Sequence, residues 1–452
     1  VAAGHPQQEP SASAVLGAFM ARQSWRDTPA TVRHQAKRAL MNHAACALEA
    51  ANDPALDAAV QVTAPFSGPA SAGLIGRAER LDPLAAAFVN AIAANFLDYD
   101  DTHFPTAIHP TAPVAAAALA LAEQRDLPGE AALLATLLGI EVCCRIGHAV
   151  SPGHYARGWH ITATCGVFGA AVAGARLLGL TGDETAAALG LAASQSGGII
   201  ENLPTAAKNL GVGAAARQGL SSALFAQAGY RPAPRAIEGV HGWARAMGDT
   251  PDLGLMLGDL GTRWETADVA FKPYPAGFVF HAEIDACLAL RALLGGVADD
   301  IVEVVVRGDQ LLLDRGERPV RNERDARVSI QHAAAVAFVR GRAGVAEFEP
   351  AAVADPALVA FRARVRSELD RSAPPASATV TVRTAAGREE TLTVRDARGG
   401  PARPLNDRDL EAKLHEGALR AGLAKKADEA IERIWTLDEA PSVGPLMRAL
   451  AP

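Results

Sequence analysis

The chain has 452 residues, more than one hydrophobic core usually holds, so two domains are expected. Hydrophobic residues make up 49% of it, aromatic ones 5%, and the formal net charge is -7, a balance that argues against nucleic acid and anionic membranes as main partners. The five cysteines, Cys46, Cys143, Cys144, Cys165 and Cys287, lie in apolar helical patterns and lack the spacing of a disulfide framework or an iron–sulfur ligand set.

Residues 1–13 read as a polar, disordered lead-in without the charged and apolar regions of a signal peptide. From there to about residue 259 the pattern is helical almost throughout. Apolar residues recur at three- and four-residue spacing over 13–23, 29–51, 81–98, 110–124, 129–150, 162–178, 181–196 and 214–228. Thr181 with Glu184 three residues on forms a capping-box start, and Gly179 ends the helix before it. Several of these helices are apolar on most faces and so belong inside a large bundle. The apolar runs 113–122 and 131–140 are too short to span a bilayer.

The character changes after Trp264. Residues 301–307 alternate and are rich in valine, which predicts a strand; 379–383 and 390–394 predict a hairpin around Thr384-Ala385-Ala386-Gly387. Helices are expected at 327–342 and 356–370 between them. Pro401 and Pro404 then break the chain, and helices to Ala421 and from Asp428 close it. The fold class is therefore mostly α. A large helical domain (1–265 and 401–452, the C-terminal helices returning to it) carries a smaller α+β domain (266–400).

Polar chemistry concentrates in Asp98-Tyr99-Asp100-Asp101-Thr102-His103 and His109-Pro110-Thr111, where one apolar helix ends and another begins. Acids at a helix C-terminus oppose the macrodipole and need a reason, which a solvated loop or a cap for the next helix would also supply. His103 and His109, like His154 and His160, are six apart rather than at the i, i+4 spacing of ligands on one helix face, so no metal is expected. Lys208 has the apolar neighbours Ile199, Ile200, Leu203, Leu210 and Val212, which predict partial desolvation. Gly211-Val212-Gly213 imitates a dinucleotide fingerprint, but no strand precedes it. Tyr155, five before His160, is a second candidate acid or base.

The order of four motifs carries a resemblance. They are Leu97-Asp98-Tyr99-Asp100-Asp101-Thr102 with His109-Pro110-Thr111; Gly158-Trp159-His160-Ile161-Thr162; Lys208-Asn209-Leu210-Gly211 with Ala216-Arg217-Gln218-Gly219; and Phe271-Lys272-Pro273-Tyr274-Pro275-Ala276. The chain resembles the MmgE/PrpD family over nearly its whole length. The resemblance implies a helical domain with a lid domain, an active site between them, a homodimer and no cofactor; the cysteine pattern is the ground for expecting a cytoplasmic location. It also implies cofactor-independent lyase chemistry, of dehydratase type, on a small di- or tricarboxylate. Epimerisation, decarboxylation and carboxylate binding without turnover are the alternatives. It points to Asp98, Thr102, His109, His160 and Lys208 as catalytic, to which the residue reading adds Tyr155; Lys272, Tyr274, His281 and His332 are the candidate substrate-binding residues. Two departures stand out. Gly277-Phe278-Val279-Phe280-His281 replaces a polar or basic cluster ending in histidine, and His332 stands where relatives often have tyrosine.

Overall fold

The computed structural model describes residues 10–296 and 298–452, so most of the expected lead-in lies outside the described residues. The chain forms two compact units. One comprises the residues up to Phe96, Asp101–Val269 and Leu410–Pro452; the other comprises Leu97–Asp100 and Ala270–Asp409.

The first unit is a bundle. Its major helices are Ala12–Arg22, Ala30–Ala50, Pro83–Asn95, Thr111–Gln124, Gly129–Val150, Ile161–Leu177, Gly182–Ala193 and Ala207–Gln227. Local chemistry sets their starts. Ser11 accepts from Ala14 N, Asp82 from Leu84 N and Ala85 N, and Thr181 with Glu184 completes the capping box. Ile161–Leu177 is buried on nearly every face and packs against Gly129–Val150, Thr111–Gln124 and Ala207–Gln227. Glycine allows the closest crossing: a Cβ on Gly139 would lie 2.6 Å from Gly169 O, and one on Gly169 would lie 2.6 Å from Gly139 O. Gly129–Val150 is long and apolar enough to cross a membrane by length and composition, but 94% of its apolar window is buried inside the protein. The uninterrupted apolar run 131–140 is shorter than the helix because Glu141 and Arg145 break the pattern without ending it. Near the C-terminus, Lys413 returns to the bundle and donates to Asn42 Oδ1 at 2.8 Å.

Ala207–Gln227 begins about two turns before the expected 214–228. Thr205, one residue before the Ala206 cap, accepts from Ala207 N through Oγ1 at 3.2 Å. Gly211 and Gly213 lower its local propensity but not its packing. A Cβ on Gly213 would lie 2.7 Å from Phe88 O, so this glycine serves close helix approach and not a nucleotide.

The second unit holds a four-stranded sheet in the order Val365–Leu369, Ile301–Gly308, Ala378–Thr384, Glu389–Val394. The first pair is parallel and the other two are antiparallel. Ala378, Val380 and Val382 face the core, while Thr379–Thr393 and Thr381–Thr391 hydroxyl pairs line the other face. The helix expected over 356–370 stops at Arg362, and Val365–Leu369 is a strand. Pairing of Val365 with Val304 in the sheet overrides the local helical pattern. His281–Leu293 is a helix not expected from the sequence. It carries Glu283, fully buried, whose carboxyl oxygens have no hydrogen-bond partner among the described residues.

All five cysteines are free and buried, and burial pushes the Cys165 thiol up to about 12. They are inert packing residues at neutral pH.

Candidate active site

In the helical unit, several of the motif residues converge on the N-terminus of Ile161–Leu177. Its cap position is His160, only 4% exposed, whose N–H donates to Gly198 O at 3.1 Å. Trp159 bridges Ile199, and Ile200 N donates to Gly158 O at 2.9 Å. The His160 motif is thereby zipped to the segment that leads into Lys208. Gly198 has φ +129, and a Cβ there would lie 2.7 Å from Ala163 Cβ; a Cβ on Gly211 would lie 3.3 Å from the same atom. Both backbones approach the first turn of Ile161–Leu177 because neither carries a side chain.

Lys208 occupies the first turn of Ala207–Gln227 and is 9% exposed. A cation at a helix N-terminus opposes the macrodipole, and burying it adds a desolvation cost. An anionic ligand at this end would offset both. The next residue, Asn209, is buried and donates to both Asn95 O and Asn95 Oδ1 at 2.9 Å. Motif three is thus tied to the end of Pro83–Asn95, where motif one begins.

The acids of motif one divide by role. The buried carboxylate of Asp101 accepts from Thr111 N at 3.2 Å and from the Thr111 hydroxyl, satisfying the start of Thr111–Gln124. Asp101 is therefore a helix-capping acid. His109 Nδ1 lies 2.5 Å from Asp101 O and 3.2 Å from Thr102 Oγ1. A carbonyl only accepts, so Nδ1 carries a proton and donates it to Asp101 O. His109 N also donates to Thr162 Oγ1 at 3.0 Å, which seats this histidine on the same helix start as His160. Thr102, His109, His160 and Lys208 therefore belong to one connected framework. Tyr155 lies half-buried on the short turn Gly153–Ala156. Its neighbour His154 is structural: Nδ1 donates to Met247 O at 3.0 Å, Nε2 accepts from Thr164 Oγ1 at 2.7 Å, and burial lowers its pKa.

In the second unit, Asp98 takes a left-handed backbone (φ +55), a conformation that aspartate tolerates better than most residues. Lys272, 2% exposed, donates to Asp98 Oδ1 at 2.9 Å and to Asp98 O at 3.1 Å. Two residues expected to do separate jobs thus form one ion pair. Tyr274 donates to Asp285 Oδ1 at 2.7 Å, and burial followed by that carboxylate holds its hydroxyl well above the usual range. His281 Nε2 lies 3.1 Å from Ala276 O, with its ring edge-on to Tyr274. His332 is fully buried against Phe348, donates Nε2–H to Glu347 O at 2.8 Å, and is pushed down to about 4 by burial.

One cluster escaped the sequence reading. Glu265 Oε2 lies 3.1 Å from His103 Nε2 and 2.9 Å from His148 Nε2, and Arg263 reaches Oε1 at 3.0 Å. Burial would raise the Glu265 pKa, but the two histidine hydrogen bonds hold the carboxyl well below the usual range. The signal was present in Glu141, Arg145 and His148, a polar stripe at i, i+4 and i+7 on an otherwise apolar helix.

The MmgE/PrpD N-terminal domain matches residues 14–256 and the MmgE/PrpD C-terminal domain matches 274–438, so the chain belongs to the MmgE/PrpD family. Among its relatives is a cis-aconitate decarboxylase of Aspergillus terreus, 31% identical over 274 residues, covering 58% of this chain and 56% of the relative. The chain thus spans little more than half of that fungal protein. Cis-aconitate decarboxylases of Homo sapiens (29% over 358 residues, 75% of this chain and 74% of the relative) and Mus musculus (28% over 412 residues, 85% and 82%) align over more of it.

Proposed function

We propose that this protein is a cofactor-independent enzyme that makes or breaks a bond at the carbon next to a carboxylate in a small di- or tricarboxylate. The observations that carry the reading are a buried Lys208 in the first turn of Ala207–Gln227 and a His109 ring that donates Nδ1–H to Asp101 O and sits on the start of Ile161–Leu177. Charge that develops on such a carbon spreads into a carboxylate already negative. A cation and helix-start amides stabilise it, and a positioned base or acid moves the proton. In this reading Lys208, His160 and the first turn of Ile161–Leu177 hold the carboxylate. His109 Nε2 transfers the proton, Thr102 supports the His109 ring, and Tyr155 is a second acid or base. Within the second unit, the Asp98–Lys272 pair is proposed separately as a carboxylate-binding group, with Tyr274, His281 and His332 as further candidates of that unit.

The names of the relatives favour decarboxylation of an unsaturated tricarboxylate as the first reaction to test, ahead of the dehydration that the motifs alone suggested. In that case the bond to the departing carboxylate breaks and carbon dioxide leaves. The electron pair passes into the remaining acid, and a protein group delivers one proton to carbon. Incubation with cis-aconitate, citrate, 2-methylcitrate, malate and tartrate, with products identified by chromatography, tests the reading. Carbon dioxide, a new alkene or an inverted centre names the reaction. No product from any acid, together with a thermal shift on adding one, replaces the enzyme with a carboxylate binder. We further propose a cytoplasmic homodimer, which light scattering and fractionation test.

A further inference from the structure

The cluster around Glu265 is built from the core outward. Arg145 is fully buried on Gly129–Val150 and pairs with Glu141 at 2.7 Å. Its remaining donors reach Met256 O at 3.2 Å, Gly258 O at 2.8 Å and Arg263 O at 2.7 Å. Glu141 Oε2 in turn accepts from Thr266 N at 3.1 Å. One intrahelical ion pair thereby fixes the backbone on both sides of Glu265. Three residues after Arg145, His148 comes off the same helix to the Glu265 carboxylate.

The other histidine on that carboxylate belongs to motif one. His103 Nδ1 lies 2.8 Å from Thr106 Oγ1, and His103 N donates to Ile108 O at 2.7 Å. These bonds close the loop 103–108, which joins Thr102 to His109. His103 and Glu265 are both under 2% exposed, so neither is placed to touch a ligand directly. With Thr106 donating to Nδ1, both Nε2–H groups point to one carboxylate oxygen and Arg263 balances its charge. The two histidine nitrogens and the carboxylate oxygen also lie close enough together to hold a metal ion, but hydrogen bonds and the guanidinium already account for this arrangement.

We propose that Glu265 is a positioning residue. Through His103 it holds the 103–108 loop, and so sets where Thr102 and the His109 ring stand. The proposal rests on the reading of His109 as the proton-transfer group. Misplacing such a group by an ångström costs up to about 100-fold in rate.

The test uses the full chain with Glu265→Gln, Glu265→Asp and His148→Gln, and two readouts. The first is turnover of whichever acid the wild type converts. Glu265→Gln is expected to lower kcat about 10-fold or more with KM within about 2-fold. Glu265→Asp should recover part of that loss, and His148→Gln should fall between. The second needs no substrate: nitrogen-15 histidine NMR, with His109 identified by its own replacement. Wild type should show a single Nδ1–H tautomer at His109, and Glu265→Gln a mixture. If Glu265→Gln fails to fold, His148→Gln carries both readouts. Wild-type kcat and an unchanged His109 signal in the folded variants would overturn the proposal. So would one equivalent of zinc or manganese in the purified protein that Glu265→Gln loses, since the cluster would then be a metal site. If the wild type turns over no acid but its His109 tautomer still depends on Glu265, the proposed reaction fails and the positioning role stands.

Discussion

His109 and His332 show how differently one residue type is used in the two units. His109 stands half-buried at a helix junction, its Nδ1 held by a backbone carbonyl and a hydroxyl beside it. His332 has one backbone partner in an otherwise apolar core, and burial drives its pKa down to about 4. Both were singled out in the sequence, His109 inside a motif and His332 where relatives often have tyrosine. The first has the setting of a group that moves a proton; the second has the setting of a group kept neutral for packing. A histidine's role follows from what surrounds its second nitrogen, and a motif does not record that.

The largest effect expected is at Lys208. Its replacement by alanine should lower kcat/KM by at least about 100-fold while circular dichroism stays unchanged, because it removes the charge that faces developing negative charge. Near-wild-type turnover would break the assignment of the helical-unit cluster. His109→Gln comes next, with about a 100-fold loss in kcat expected from removal of the acid–base group. A KM rise at constant kcat would instead make His109 a binding residue.

The contrasting prediction concerns His332→Leu. Since the folded pKa lies below the ordinary 6.5, the wild type should lose stability as pH falls from about 6.5 to about 4, by up to about 3 kcal/mol. The variant should lose about 1 kcal/mol at pH 8, from the missing hydrogen bond to Glu347 O, and lack that part of the acid slope. Urea midpoints across pH measure both. A tenfold KM change with unaltered stability would return His332 to substrate contact. The smallest effect is at Glu283, whose carboxyl burial pushes well above 4.5. The folded state keeps a proton that the unfolded chain releases, so this group costs stability as pH rises above about 4.5. Glu283→Met should therefore raise the melting temperature at pH 8 by a few degrees, and by less at pH 5. An equal gain at both pH values would show that packing alone is responsible.

The helical unit was legible because its apolar period is long and its caps are local: Gly129–Val150 was read to the residue, and Thr181 with Glu184 announced the next helix. Val365–Leu369 was not legible, because its strand character comes from pairing with Val304 and its neighbours, some 60 residues away. The motif residues could be found in the sequence, but their division of labour could not. Nothing local distinguishes Asp101, spent on the Thr111 amide, from Asp98, paired with Lys272. Glu265 was missed because its partners, His103 and His148, are 162 and 117 residues distant.

The most direct test of the central claim is proton NMR in deuterated water with the panel of di- and tricarboxylates, comparing wild type with Lys208→Ala. The account predicts that at least one acid gains deuterium at the carbon next to a carboxylate, or a new vinyl signal, with wild type alone. The same exchange in both proteins, or none in either, would contradict it.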